Sequence, residues 1–131
     1  MGHVTFADDG GVATDVRCYV VKADRQVGIV DAGVGANSGV EHSKRFRLEL
    51  FPFRERLAGA GVAPGDVDWV VSTHMHFDHI GWYPELEGES WNPVFPNARY
   101  LFVPEEREHA AASGREMTEV RLDSAQDAGL V

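Results

Sequence analysis

From Ser72 to Trp82 the chain reads STHMHFDHIGW, which places three histidines and one aspartate within six positions: His74, His76, Asp78 and His79. A neutral imidazole offers a nitrogen lone pair, and a carboxylate offers charged oxygens. Together they suit Zn²⁺, with Fe and Mn as alternatives. Along an extended stretch, residues two apart point to the same side, so His74 and His76 are placed to share one ion. Asp78 and His79 follow the start of a bend and can reach a second ion close by. The competing interpretation is a chance run of solvated histidines. Histidine is an uncommon residue, and this spacing at a strand end speaks for the metal.

The elements that must position this loop can be read from residue type and period. Val16 to Ala23 (VRCYVVKA) is rich in β-branched and aromatic residues and predicts a strand. A polar turn from Ala23 to Gln26 and a second strand, Val27 to Asp31, complete a hairpin that runs into the glycines of VGIVDAGVG. Ala36 to Ser43 predicts a loop. Pro52 opens a helix to about Ala60, with Phe53 and Leu57 on one face, Gly61 ending it and Pro64-Gly65-Asp66 turning the chain. Val67 to Ser72 (VDWVVS) is a short, nearly all-apolar strand suited to burial on both faces, with Trp69 in the core, and the metal loop leaves it directly. Tyr83 to Asn97, with its Pro, Gly and Trp, predicts irregular structure. Ala98 to Val103 is another strand, Pro104 opens a helix to about Ala112, and Met117 to Val131 is at most weakly helical. This order gives an α/β fold, a layered sheet covered by helices on one face, in a single domain over residues 1–131.

Composition bounds the partners. The chain has 131 residues, 44% of them hydrophobic and 25% charged, which allows one domain with a real core. Its net charge of −9 argues against nucleic acid, whose phosphates are met by Lys and Arg. Arg45, Arg47, Arg54 and Arg56 are interleaved with acids and read as a solvated face. No apolar run approaches the roughly 20 residues a bilayer requires, and MGHVTFADDGG lacks the features of a secretory signal, so no membrane and a cytoplasmic location are expected. The lone Cys18 has no partner in the chain for a disulfide.

The loop resembles the HxHxDH signature of the metallo-β-lactamase superfamily, matched in full by His74, His76, Asp78 and His79. Asp31 in VDAG is similar to that family's upstream Asp–x–Gly motif. VAPGDVDWVVSTHMHFDHIGW and FPNARYLFVPEE look like the segments around the loop in its lactonase-like and hydrolase branches. The resemblance implies half of an αββα sandwich. It implies that His74 and His76 hold a first metal, Asp78 and His79 a second, and that the metals activate water on a small-molecule ester, lactone or thioester. Asp78 would also orient that water, and Asp31 would fix a ligand by hydrogen bond; a plain turn-capping role is its alternative. Trp82 is a candidate for the substrate wall or for packing. Flavo-diiron relatives usually carry Glu where His76 stands, so the resemblance favours hydrolysis over redox chemistry.

A catalytic zinc usually takes three protein ligands, and the family supplies a later histidine, a bridging aspartate and a final histidine from the second half of its fold. His109, Asp123 and Asp127 lack the context of those ligands, and His3 and His42 stand isolated. The chain is therefore expected to be the amino-terminal portion of a hydrolase. Its uncovered sheet face would associate with itself or with a chain supplying the carboxyl-terminal half. A non-catalytic half-domain, a nuclease and a β-lactamase are the other possibilities.

Overall fold

The computed structural model describes residue 10 and residues 15–35, 52–112, 122–123, 125–127 and 129–131. β1 (Tyr19–Ala23) and β2 (Gln26–Val30) form the expected hairpin, β1 shorter than the sequence pattern and β2 shifted back by one residue. Asp24 takes a left-handed φ of 52° in the two-residue turn, a conformation that Asp tolerates better than most residues. β3 (Trp69–Val71) adds parallel to β2, and β6 (Arg99–Leu101) adds parallel to β3. The result is one mixed sheet in the order β1-β2-β3-β6.

Register divides that sheet into two unlike faces. Val20, Ile29, Val70 and Tyr100 stand in one row, and Ile29, Val70 and Tyr100 are buried. The same core holds Leu57 from α1 (Phe53–Gly59) and Ala110 from α2 (Pro104–Ala112). Burying each large aliphatic side chain stabilises the fold by roughly 1.5–3 kcal/mol, so this row anchors the helices. The neighbouring row, on the opposite face, is Tyr19, Val30, Val71 and Leu101. Tyr19 is 55% and Leu101 45% exposed, so this apolar face is open among the described residues. Trp69 belongs to the open face. It is half-buried and lies over Gly28, where a Cβ would collide with its indole, rather than sitting in the core.

α1 ends as its sequence suggests, with the Gly61 N–H donating to Ala58 O and the Val62 N–H to Leu57 O. Lys22 on β1 adds a cap that no local pattern signals, its ammonium donating to Ala60 O at 2.7 Å and to Gly61 O at 3.3 Å. Carbonyls at a helix end lack partners within the helix, and a cation there is favourable. A short 3₁₀ turn, Pro64–Asp66, leads into β3.

Two segments differ from expectation. Tyr83 to Asn97 is not irregular: β4 (Pro84–Glu87) and β5 (Ser90–Pro93) pair as a second, two-stranded antiparallel sheet. The prolines that argue against strands face each other at the open end of the ribbon, where position excuses their missing N–H groups. Gly88, at φ 64°, takes the first position of the two-residue turn that a glycine favours. Near the carboxyl end, residues 122–123 and 125–127 are helical and are not weakly held. Leu122 and Ala125 are buried, and Leu130 O accepts the Tyr100 N–H at 2.7 Å. Among the described residues, no helix is long and apolar enough to cross a membrane.

Candidate metal centre

β2 and β3 run parallel and end at the same edge, so the segments leaving them begin side by side. Asp31 follows β2 and donates its N–H to Val71 O at 3.0 Å. It adopts a left-handed φ of 57°, which costs a non-glycine residue of order 1–2 kcal/mol. That conformation turns the carboxylate toward the segment leaving β3. Oδ1 accepts the Thr73 N–H at 2.8 Å, and the Thr73 hydroxyl lies 3.1 Å from Oδ1 and 3.0 Å from Oδ2. On the far side, Asp31 Oδ2 stands 2.9 Å from His79 Nδ1. That nitrogen is shut off from solvent and imperfectly aligned for a hydrogen bond, so the contact is chiefly electrostatic. Burial alone pushes the Asp31 carboxyl up. The Thr73 N–H, the His79 ring and the Thr73 hydroxyl outweigh it, and the pKa ends below the ordinary value.

Thr73 also touches His74, with Oγ1 3.2 Å from Nδ1. A threonine hydroxyl carries one hydrogen, and the Asp31 carboxylate can only accept it. Thr73 Oγ1 is then the acceptor for an Nδ1–H on His74, which leaves the His74 Nε2 lone pair available. Asp31 bears on His79 Nδ1 directly, while His79 Nε2 faces Asp78 Oδ2 at 3.4 Å. One buried carboxylate thus orders two imidazoles, the second through a residue that sequence reasoning overlooked because threonine before such a motif carries no signal of its own.

The four loop residues come together in space. The His74 ring lies 4.0 Å from His79 and 4.4 Å from His76, centroid to centroid, and His79 Nε2 is 3.4 Å from Asp78 Oδ2. The His79 and Ile80 N–H groups both donate to His76 O, closing a tight turn, and the Met75 and Ile80 side chains are buried beneath it. The backbone is locked against the strap after β2: Ala32 N–H to His79 O at 2.6 Å, Gly81 N–H to Gly33 O at 2.6 Å, Trp82 N–H to Ala32 O at 3.0 Å. A Cβ at Gly35 would strike the Gly81 carbonyl, and one at Gly81 would strike Val34, so the two chains cross at a distance only glycine permits.

In chemistry and proximity this donor set fits a divalent cation. The imidazoles lie ring against ring, however, and among the described residues no three His, Cys, Asp or Glu side chains are arranged to hold an ion by themselves. His109 is exposed on α2, Asp123 pairs loosely with Arg107 at 3.7 Å, and Asp127 is exposed. His3 and His42 lie outside the described residues.

Trp82 is 9% exposed and stacks on Phe53 with ring centroids 4.8 Å apart. Both line a cavity of about 430 Å³ that extends past Val34 and Leu57 to Cys18. Burial, then the negative charge of Asp31, push the Cys18 thiol up to about 11. His74, His76, Asp78 and His79 do not line this cavity.

A mixed sheet with helices packed on one face, and a His-Asp loop at the ends of its parallel strands, define an α/β protein with imidazoles gathered at one sheet edge. The family description "metallo-beta-lactamase superfamily" matches residues 11–129, and the chain belongs to that family. It is 76% identical over 49 residues to the human metallo-beta-lactamase domain-containing protein 1, a match covering 34% of this chain and 18% of that protein. A probable metal-dependent hydrolase from Staphylococcus aureus superposes on 83% of this chain and 39% of its own, with TM-score 0.72 and 23% identity, which speaks to the fold. A dizinc quorum-quenching lactonase, AidC, superposes on 70% of this chain and 27% of its own, with TM-score 0.54 and 25% identity. The chain therefore spans well under half the length of these relatives.

Proposed function

We propose that the chain carries the metal-binding portion of a hydrolase acting on a small-molecule ester, lactone or thioester. The observation behind this is the gathering of His74, His76, Asp78 and His79 at one sheet edge, with Asp31 ordering two of the rings from behind. His74 and His76 would hold one divalent ion, and Asp78 and His79 a second, with zinc favoured and iron or manganese able to replace it. A bound ion would polarise a carbonyl and bring the ionisation of water toward neutral pH. The chain's own residues do the positioning: Asp31 and Thr73 fix which ring nitrogens face outward, the Gly35–Gly81 crossing keeps the loop against the sheet, and Asp78 orients water. Trp82 would meet the substrate only through the cavity behind the loop. The AidC neighbour, a lactonase, supports lactones as the first class to try.

The open face of Tyr19, Val30, Val71 and Leu101 supports a second part of this proposal. A polypeptide supplying the rest of the fold covers that face and brings the further ligands. Its motivation is the length of the relatives, of which this chain matches only a fraction. Turnover of an acyl lactone with added Zn²⁺, assayed for the 131-residue chain and for a form extended to the relatives' length, tests both parts. Hydrolysis by the extended form, lost on His74→Ala, is the expected result; an inactive extended form that binds no metal would contradict it. The absence of a three-donor arrangement among the described residues favours a second reading, in which the 131-residue chain alone is a non-catalytic half. Turnover by that chain alone would exclude this.

A further inference from the structure

Because β3 and β6 are parallel neighbours, the segments leaving their carboxyl ends also begin side by side. The metal loop leaves β3, and α2 leaves β6 after only Phe102 and Val103. Pro104, Glu105 and Glu106 form the first turn of α2. A glutamate third in a helix commonly turns back to the N–H just before its own helix. Glu106 reaches across to the loop instead, and its Oε2 accepts the Met75 N–H at 3.3 Å.

Met75 stands between His74 and His76, and its side chain is fully buried in the core. Burial alternates along these three residues, so the two imidazoles are carried on the side opposite Met75. With its side chain packed and its N–H bonded, Met75 is the fixed point about which both rings are presented. Glu106 is itself well anchored. Its N–H donates to Val103 O at 3.0 Å, and Ala110, one turn further along α2, is buried.

We infer that Glu106 is a positioning residue for the metal loop, holding the Met75 backbone so that His74 and His76 are offered together. This rests on the metal-centre proposal above. It concerns a residue on a separate helix, 27 positions beyond His79 and with no motif of its own.

The test compares the chain, extended to the relatives' length, with its Glu106→Ala and Glu106→Gln variants by two measurements. Amide hydrogen exchange at Met75 is followed by NMR without metal, and Co²⁺ affinity is measured by optical titration. Glu106→Ala is expected to speed Met75 exchange while leaving Ile29 and Val70 in the core unchanged. It should also weaken Co²⁺ about tenfold, as loss of a group supporting a metal ligand does. Glu106→Gln keeps an oxygen acceptor without the charge and should stay within about threefold of wild type. Unchanged Met75 exchange and Co²⁺ affinity in Glu106→Ala would overturn the inference, as would faster exchange spread equally to Ile29 and Val70. A wild-type chain that takes up no Co²⁺ would overturn the metal-centre proposal and this inference with it. Wild type and Glu106→Ala binding Co²⁺ alike would overturn the inference alone.

Discussion

The carboxyl edge of the sheet and its open broad face are built from the same strands and are held in opposite ways. At the edge, residues 31–35 and 72–82 are tied by backbone bonds at 2.6–3.0 Å, by a carboxylate gripping Thr73, and by glycines where the chains cross. Across the broad face, Tyr19, Val21 and Leu101 stand exposed with no such devices among the described residues. The close contacts are concentrated where the imidazoles stand. The apolar face is open among the described residues, and a covering partner is the proposal made for it above. Local geometry and bulk burial thus serve different ends on one small sheet.

Substitutions should divide along that line. Gly81→Ala drives a methyl into Val34 and should cost roughly 3 kcal/mol in urea unfolding, the largest effect, because a backbone crossing cannot relax as a side chain can. A cost below 1 kcal/mol would mean that the strap and loop part easily. Asp31→Asn keeps a side chain that tolerates left-handed φ, so it isolates the loss of charge. About 2 kcal/mol is expected, with the His74 and His79 ring resonances displaced together. Movement of His79 alone would break the link through Thr73.

Tyr83→Phe removes the hydroxyl that lies 2.7 Å from Ser72 Oγ in the core, just behind the loop, and should cost about 1 kcal/mol. Leu101→Lys lies on the open face. It should change the stability of the 131-residue chain by no more than about 0.5 kcal/mol and yet abolish association with a covering partner, read by size exclusion. A destabilisation by Leu101→Lys as large as that of Gly81→Ala would erase the contrast between the two regions.

The sequence carries the site more legibly than the frame that tunes it. His74, His76, Asp78 and His79 stand out because their chemistry and spacing are local, and the strands flanking them follow from short β-branched runs. α2 matches its expected bounds from Pro104 to Ala112 because proline marks a helix start and the following residues favour helix. The β4–β5 ribbon is harder to read, since Pro84 and Pro93 look like strand breakers until their facing positions at the ribbon end are known. Leu122 and Ala125 join the core as the tail bonds to Tyr100 through Leu130 and to Arg107 through Gln126, a tertiary fact invisible in a weak local pattern. The grip of Asp31 on Thr73 spans 42 positions, and only the parallel pairing of β2 with β3 brings the two together.

The most direct test is metal content. The chain extended to the relatives' length, incubated with Zn²⁺ and passed through a desalting column, should retain zinc. The double variant His74→Ala/His76→Ala should retain none while keeping its far-UV circular dichroism. Equal zinc on both proteins, or none on the wild type under conditions where it is folded, would contradict a metal centre at this loop.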